Sequence, residues 1–191
     1  MKLVLLALLL RLAAGLATGN THEIVGVTKD ATVTYSTSAL GSTTINVLAP
    51  KGRQKTLVAS PASDSAYSRI LLGFDLPSGS AQNPKGITNC TLLVPIAQRT
   101  PDKPYRLTAY AADDAWDEAR VNGSTRVATR GRLGGAQADA GQTPDEIDIA
   151  DACRAAAAGG SFSVFLDATR QTVFDARESG SQHTFAISVI Y

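Results

Sequence analysis

Short runs of β-branched and aromatic residues, punctuated by Gly, Ser, Asp and Pro, constrain this chain more than any other feature of its sequence. They cover residues 23–27, 31–36, 44–48, 68–76, 87–96, 105–111, 161–166, 171–175 and 184–191. That cadence is the signature of an all-β sandwich. No helical segments alternate with the runs as a parallel α/β sheet would require, so an antiparallel architecture is expected. The last run has a period of two, with Phe185, Ile187, Val189 and Tyr191 on one face and Thr184, Ala186, Ser188 and Ile190 on the other.

One segment breaks the cadence. Asp148-Ile149-Ala150-Asp151-Ala152-Cys153-Arg154 leads into four alanines and then Gly159-Gly160, a carboxylate before and glycine after, which reads as one short helix. Ile149, Ala152, Cys153 and Ala156 share a face of it, turning Cys153 inward. Residues 126–144, rich in Gly, Ala, Arg and Gln and without hydrophobic periodicity, read as a long loop. Residues 77–86 read as a second, polar loop. No repeat of solenoid length is present.

The first 19 residues resemble an export signal. Lys2 gives the positive start, residues 3–10 are apolar, and Ala17-Thr18-Gly19 offers a small-residue cleavage site. Arg11 ends the apolar run far short of the roughly 20 residues a membrane span needs. The expected product is a secreted protein, extracellular or cell-wall associated, with residues 20–191 as a single domain. A lipid-anchor exchange signal at the C-terminus would need a longer apolar stretch after a polar spacer, so no membrane anchor is expected. Without Lys2 and Arg11, the 18 Lys and Arg fall to 16 against 17 Asp and Glu. A nearly neutral chain has no basic field to draw it to nucleic acid.

Cys90 and Cys153 are the two cysteines, and in an oxidising compartment the expected state is a disulfide, with two separate buried thiols as the alternative. Asn89-Cys90-Thr91 and Asn122-Gly123-Ser124 match the glycosylation sequon, making Asn89 and Asn122 candidate sites.

Three motifs occur in order: Arg69-Ile70-Leu71-Leu72-Gly73-Phe74-Asp75-Leu76-Pro77-Ser78, then Trp116-Asp117-Glu118, then Phe174-Asp175-Ala176-Arg177-Glu178 before the terminal strand. Together with Asp148-Ile149-Ala150 they resemble the DNRLRE domain, also called carbohydrate-binding module family 96, over nearly all of the mature chain. The chain departs from that pattern where Val121 is followed by Asn122-Gly123 instead of a second tryptophan, and at Gly73, where the family often has a polar or basic residue. The resemblance implies a jelly-roll sandwich that binds a polysaccharide or cell-wall glycan without cutting it.

The candidate ligand-binding residues are Arg69, Tyr105, Tyr110 and Trp116. Period two sends Ile70, Leu72 and Phe74 to the core and Arg69, Leu71, Gly73 and Asp75 to the opposite face. A planar guanidinium there hydrogen-bonds hydroxyls or pairs with uronates, or it simply pairs with a neighbouring acid. An exposed Trp116 is a platform for a sugar ring, with Tyr105 and Tyr110 as lesser ones, and a buried Trp116 is core. Arg177-Glu178 reads as a structural ion pair. Asp113, Asp114, Asp117 and Glu118 offer oxygen ligands for a structural calcium but lack EF-hand spacing, and a solvated acidic turn is the simpler reading, so no cofactor is expected. His22 and His183 lie in no catalytic motif, so no enzyme is expected. A structural or adhesive wall protein is the alternative.

Overall fold

The computed structural model describes residues 20–36, 51–61, 66–78, 86–125, 127–156 and 160–191. The expected leader at residues 1–19 and strand at 44–48 lie outside them. The fold is mostly β and antiparallel throughout. Its strands are β1 (His22–Gly26), β2 (Lys29–Ser36), β3 (Thr56–Ala59), β4 (Ala66–Asp75), β5 (Asn89–Leu93), β6 (Tyr105–Ala112), β7 (Thr129–Ala138), β8 (Glu146–Asp148), β9 (Ser161–Ala168), β10 (Thr172–Asp175) and β11 (Ala186–Ile190). Helix α1 (Ala150–Ala156) lies between β8 and β9.

One sheet has the order β1-β11-β5-β8 and a second β2-β4-β9-β6-β7, while β3 and β10 form a ribbon. The main core fills the space between the two larger sheets. Ile70, Leu72 and Phe74 of β4 meet Leu92 of β5 and Ile187 and Val189 of β11 there. Strand β11 sits inside its sheet with Ile187 and Val189, and Phe185 just before it, buried and Ala186, Ser188 and Ile190 partly exposed, so the period of two holds.

Strands β4 and β9 are buried on both faces over much of their length. A second apolar cluster lies on the far side of the five-stranded sheet. Trp116 and Val121, from the segment joining β6 to β7, cover Ala31, Val33, Leu71 and Phe165. This explains why Leu71 and Phe165 stand on the outer face, where a strand with one solvent face would carry polar residues.

Helix α1 is short because its ends are fixed. The Asp148 carboxylate accepts the Ala150 N–H at 2.9 Å, and the Gly160 N–H, at φ 75°, closes onto the Ala156 carbonyl at 3.0 Å. Ala152 and Cys153 face inward, and Cys153 is bonded to Cys90 of β5, with Cα atoms 6.4 Å apart.

The expectation of a long loop over 126–144 is corrected: its middle is β7, a ten-residue edge strand paired with β6. An edge strand has one neighbour and little to bury, so Arg130, Gly131 and Arg132 carry no apolar alternation. Register shifts between Thr108 and Tyr110 and between Ala111 and Ala112 break the period further. Strands β3 and β8 were also silent, being four and three residues long.

Candidate functional site

The far face of the five-stranded sheet divides in two. One half is roofed by the β6–β7 segment around Trp116. Trp116 is only 8% exposed, and its indole N–H donates to Ser163 Oγ at 2.8 Å. Ser163 donates in turn to the Asp114 carboxylate, which also accepts from Ser161 Oγ at 2.7 Å and pairs with Lys29 at 3.0 Å. Lys29 Nζ lies 4.5 Å from the centre of the Trp116 ring. Gly73, the register partner of Lys29, leaves room for the lysine stem: a Cβ on Gly73 would fall 2.5 Å from two of its carbons. Burial pushes the Asp114 carboxyl up, but hydrogen bonds from Ser163, Ser161 and Lys29 and the charge of Lys29 more than offset it and hold the group below its ordinary value.

The other half carries polar and aromatic groups from all five strands. Tyr35 of β2 and Tyr67 of β4 are register partners whose rings stack at 4.7 Å. Beside them Arg69 donates from Nε to Asp167 of β9 and from Nη1 to Thr129 of β7 at 2.8 Å. Its guanidinium lies 4.1 Å from the centre of the Phe165 ring and 5.5 Å from that of Tyr110 on β6. Thr108 stands opposite Asp167 in the β6–β9 register. Burial raises the Tyr35 phenol above its ordinary value, with Arg69 working the other way.

Among the sequence candidates, this face brings Arg69 and Tyr110 together. The Arg69 side chain is 13% exposed, held flat against the sheet by its partners instead of waving in solvent. Trp116 and Tyr105 are not open to a ligand. Tyr105, 2% exposed, points into the main core and donates its hydroxyl to the Gln142 carbonyl at 3.0 Å. Tyr105 and Tyr110 are an odd number of positions apart on one strand, so they face opposite ways. Tyr35, Tyr67 and Asp167 were missed: Tyr67 and Asp167 lie one residue outside the expected strands 68–76 and 161–166, although their odd spacing from Leu72 and Leu166 places them on the outer face.

The four acids of the β6–β7 turn separate. Asp113 pairs with Arg130, Asp114 with Lys29, Asp117 with Arg120, and Glu118 with Arg177. Arg177 also pairs with Glu178, as the sequence suggested. Of the sequon asparagines, Asn89 is exposed at the start of β5, and Asn122 accepts hydrogen bonds from Ser124 in its own turn. Open depressions lie elsewhere among the described residues, including one of about 380 Å³ beside β7 and β8 and one of about 420 Å³ beside Arg99 and Arg170, neither of which contains a ligand-binding candidate.

Comparison with known proteins matches residues 28–189, from the start of β2 almost to the end of β11, to a family model. The chain belongs to carbohydrate-binding module family 96. The five-stranded sheet with its aromatic face falls inside the family-96 match, and of the four-stranded sheet only β1 lies wholly outside it. An Arthroderma benhamiae protein, described as an uncharacterized secreted protein, is 30% identical over 118 residues, 61% of this chain. The aligned part spans 58% of that relative's length.

Proposed function

We propose that the mature chain is a secreted, non-catalytic polysaccharide-binding domain whose ligand lies along the half of the far sheet face that the β6–β7 segment does not roof. Family membership over residues 28–189 carries this reading. The signal-like N-terminus and the description of the Arthroderma relative support export to the extracellular space or cell wall. Outside the cell, exposed Asn89 is the sequon better placed for glycosylation.

The face has the parts that sugar recognition uses. Stacked Tyr35 and Tyr67 and the half-buried Tyr110 offer aromatic surface to the apolar faces of sugar rings. Arg69 and Asp167, already fixed by each other, offer donors and acceptors to hydroxyls with little further ordering cost. Because Asp167 compensates the guanidinium, hydroxyl-rich glycans suit the site better than polyanions.

Chemistry on a glycosidic bond calls for a carboxylic acid that substrate reaches. The carboxyl pushed furthest toward neutrality, Asp30 at about 7, is 1% exposed, and burial is the main cause. His22 and His183 sit exposed, His22 bonded to Ser188. A binding role therefore fits the described residues better than a hydrolytic one.

A glycan array of neutral and acidic polysaccharides probed with purified protein tests the reading. Retention on at least one polysaccharide, lost in Arg69→Ala, is expected. No retention on any would leave the structural or adhesive alternative, and release of reducing ends would restore an enzyme.

A further inference from the structure

Two of the three sequence motifs converge on Asp30, far from the proposed sugar face. Asp30 is the second residue of β2, Glu118 lies two positions after Trp116, and Glu178 is in the 3₁₀ turn after β10. The Asp30 N–H donates to Glu118 Oε1 at 2.7 Å, and the Arg177 N–H donates to Asp30 Oδ2 at 2.8 Å. Arg177 Nη2 bridges Glu118 Oε2 at 2.8 Å and Glu178 Oε1 at 2.7 Å. Gly52 seals one side: a Cβ there would fall 1.9 Å from the Glu118 carbonyl oxygen, so only glycine lets the two backbones touch.

This network leaves two oxygens over. Asp30 Oδ1 and Glu178 Oε2 are both buried without a hydrogen-bond partner. Asp30 is 1% exposed, so water does not solvate its spare oxygen from outside. A buried, unpartnered carboxylate oxygen is strongly destabilising, and two in one cluster call for a shared partner. Charge points the same way. Three carboxylates face one guanidinium, while nearby Lys29 is turned to Asp114 and the Trp116 carbonyl.

The geometry points to a structural calcium site formed by Asp30, Glu118 and Glu178. One ligand atom from each lies within 4.8 Å of the others. At the 4.8 Å limit the in-plane centre of three such oxygens lies about 2.8 Å from each, so a small inward shift reaches the roughly 2.3–2.6 Å that calcium takes, and the roughly 2.0–2.1 Å of magnesium needs a larger one. With all three carboxyls ionised, the ion balances the two negative charges that Arg177 leaves over and ties the start of β2, the β6–β7 segment and the turn before β11 together. These are the segments that fix the Trp116 roof. Hard oxygen donors without His or Cys exclude a preference for zinc or copper.

The test is calcium titration of chelator-treated protein, followed by calorimetry and by thermal unfolding. One ion per chain is expected, with a dissociation constant of about 10⁻⁴–10⁻³ M, the range of extracellular modules. At a calcium concentration of about one hundred times that constant, the melting temperature rises by about 5–10 °C. Asp30→Asn and Glu178→Gln each weaken binding by about tenfold or more, and Asp113→Asn leaves it unchanged. Should Asp30→Asn not fold, Glu178→Gln, whose side chain is partly exposed, carries the comparison. Absence of both heat and thermal shift in the wild type overturns the site, as does a Glu178→Gln protein that binds as tightly as wild type.

Discussion

Removing the Cys90–Cys153 bridge gives the best-defined stability test. The bridge spans 63 positions and joins β5, inside the β1-β11-β5-β8 sheet, to α1. Closing a loop of that length in the unfolded chain is worth about 4 kcal/mol on the chain-entropy account. Both cysteines are fully buried, so Cys90→Ala/Cys153→Ala adds a small packing loss but no exposed group. Against a typical total of about 5–15 kcal/mol, such a loss is a large fraction of the stability. Urea unfolding followed by tryptophan fluorescence reads it directly, since Trp116 is the one tryptophan and is buried. With a slope of about 2 kcal/mol per molar urea, the midpoint falls by about 2 M. Thermal unfolding falls by about 8–16 °C. A midpoint change below about 0.5 M at unchanged slope refutes the reasoning. So does mass mapping in which both thiols of the native protein are alkylated.

Other perturbations follow from the Trp116 roof and the sugar face. Ser163→Ala leaves the buried indole N–H without its acceptor and costs about 1–3 kcal/mol, measured by the same urea titration. Asp114 is held below its ordinary carboxyl value of 3.8, so the stability it supplies is complete above that value and is lost as pH falls through the lower folded one. Melting temperatures of Asp114→Asn should therefore depend less on pH below about 4 than those of wild type, and parallel curves would contradict this. Tyr67→Ala removes half of the stacked pair and should weaken polysaccharide retention by about tenfold while changing stability little, read by affinity electrophoresis beside a melting curve.

The legible parts of the fold are those where burial is one-sided. Residues 184–191 alternate because β11 has one face on the core, whereas β4 is covered on both faces and only Arg69 and Asp75, flanking its apolar run, mark the outer one. The Cys153 face of α1 was legible from helical spacing and led to its bonding partner. Strand β7 was hidden because an edge strand with register shifts has no apolar period to show. Of the candidate site, Arg69 was readable as an outward residue from the period of its strand, while Tyr110 was one of two tyrosine candidates and only its contact with Arg69 separates it from Tyr105. Trp116 was ambiguous because only the path of the β6–β7 segment over Leu71 and Phe165 decides its burial. Asp30 left no trace, since a charged residue beside Lys29 reads as exposed until Glu118 and Arg177 arrive from distant positions in the chain.

Binding of a polysaccharide to the far face of the five-stranded sheet is the central claim, and backbone amide shifts of isotopically labelled protein titrated with an array-positive oligosaccharide test it most directly. Changes concentrated at Tyr35, Tyr67, Arg69, Thr108, Tyr110 and Asp167, on β2, β4, β6 and β9, are the expected result. Saturable changes confined to the depressions beside β8 or Arg170, with this face unmoved, would contradict it.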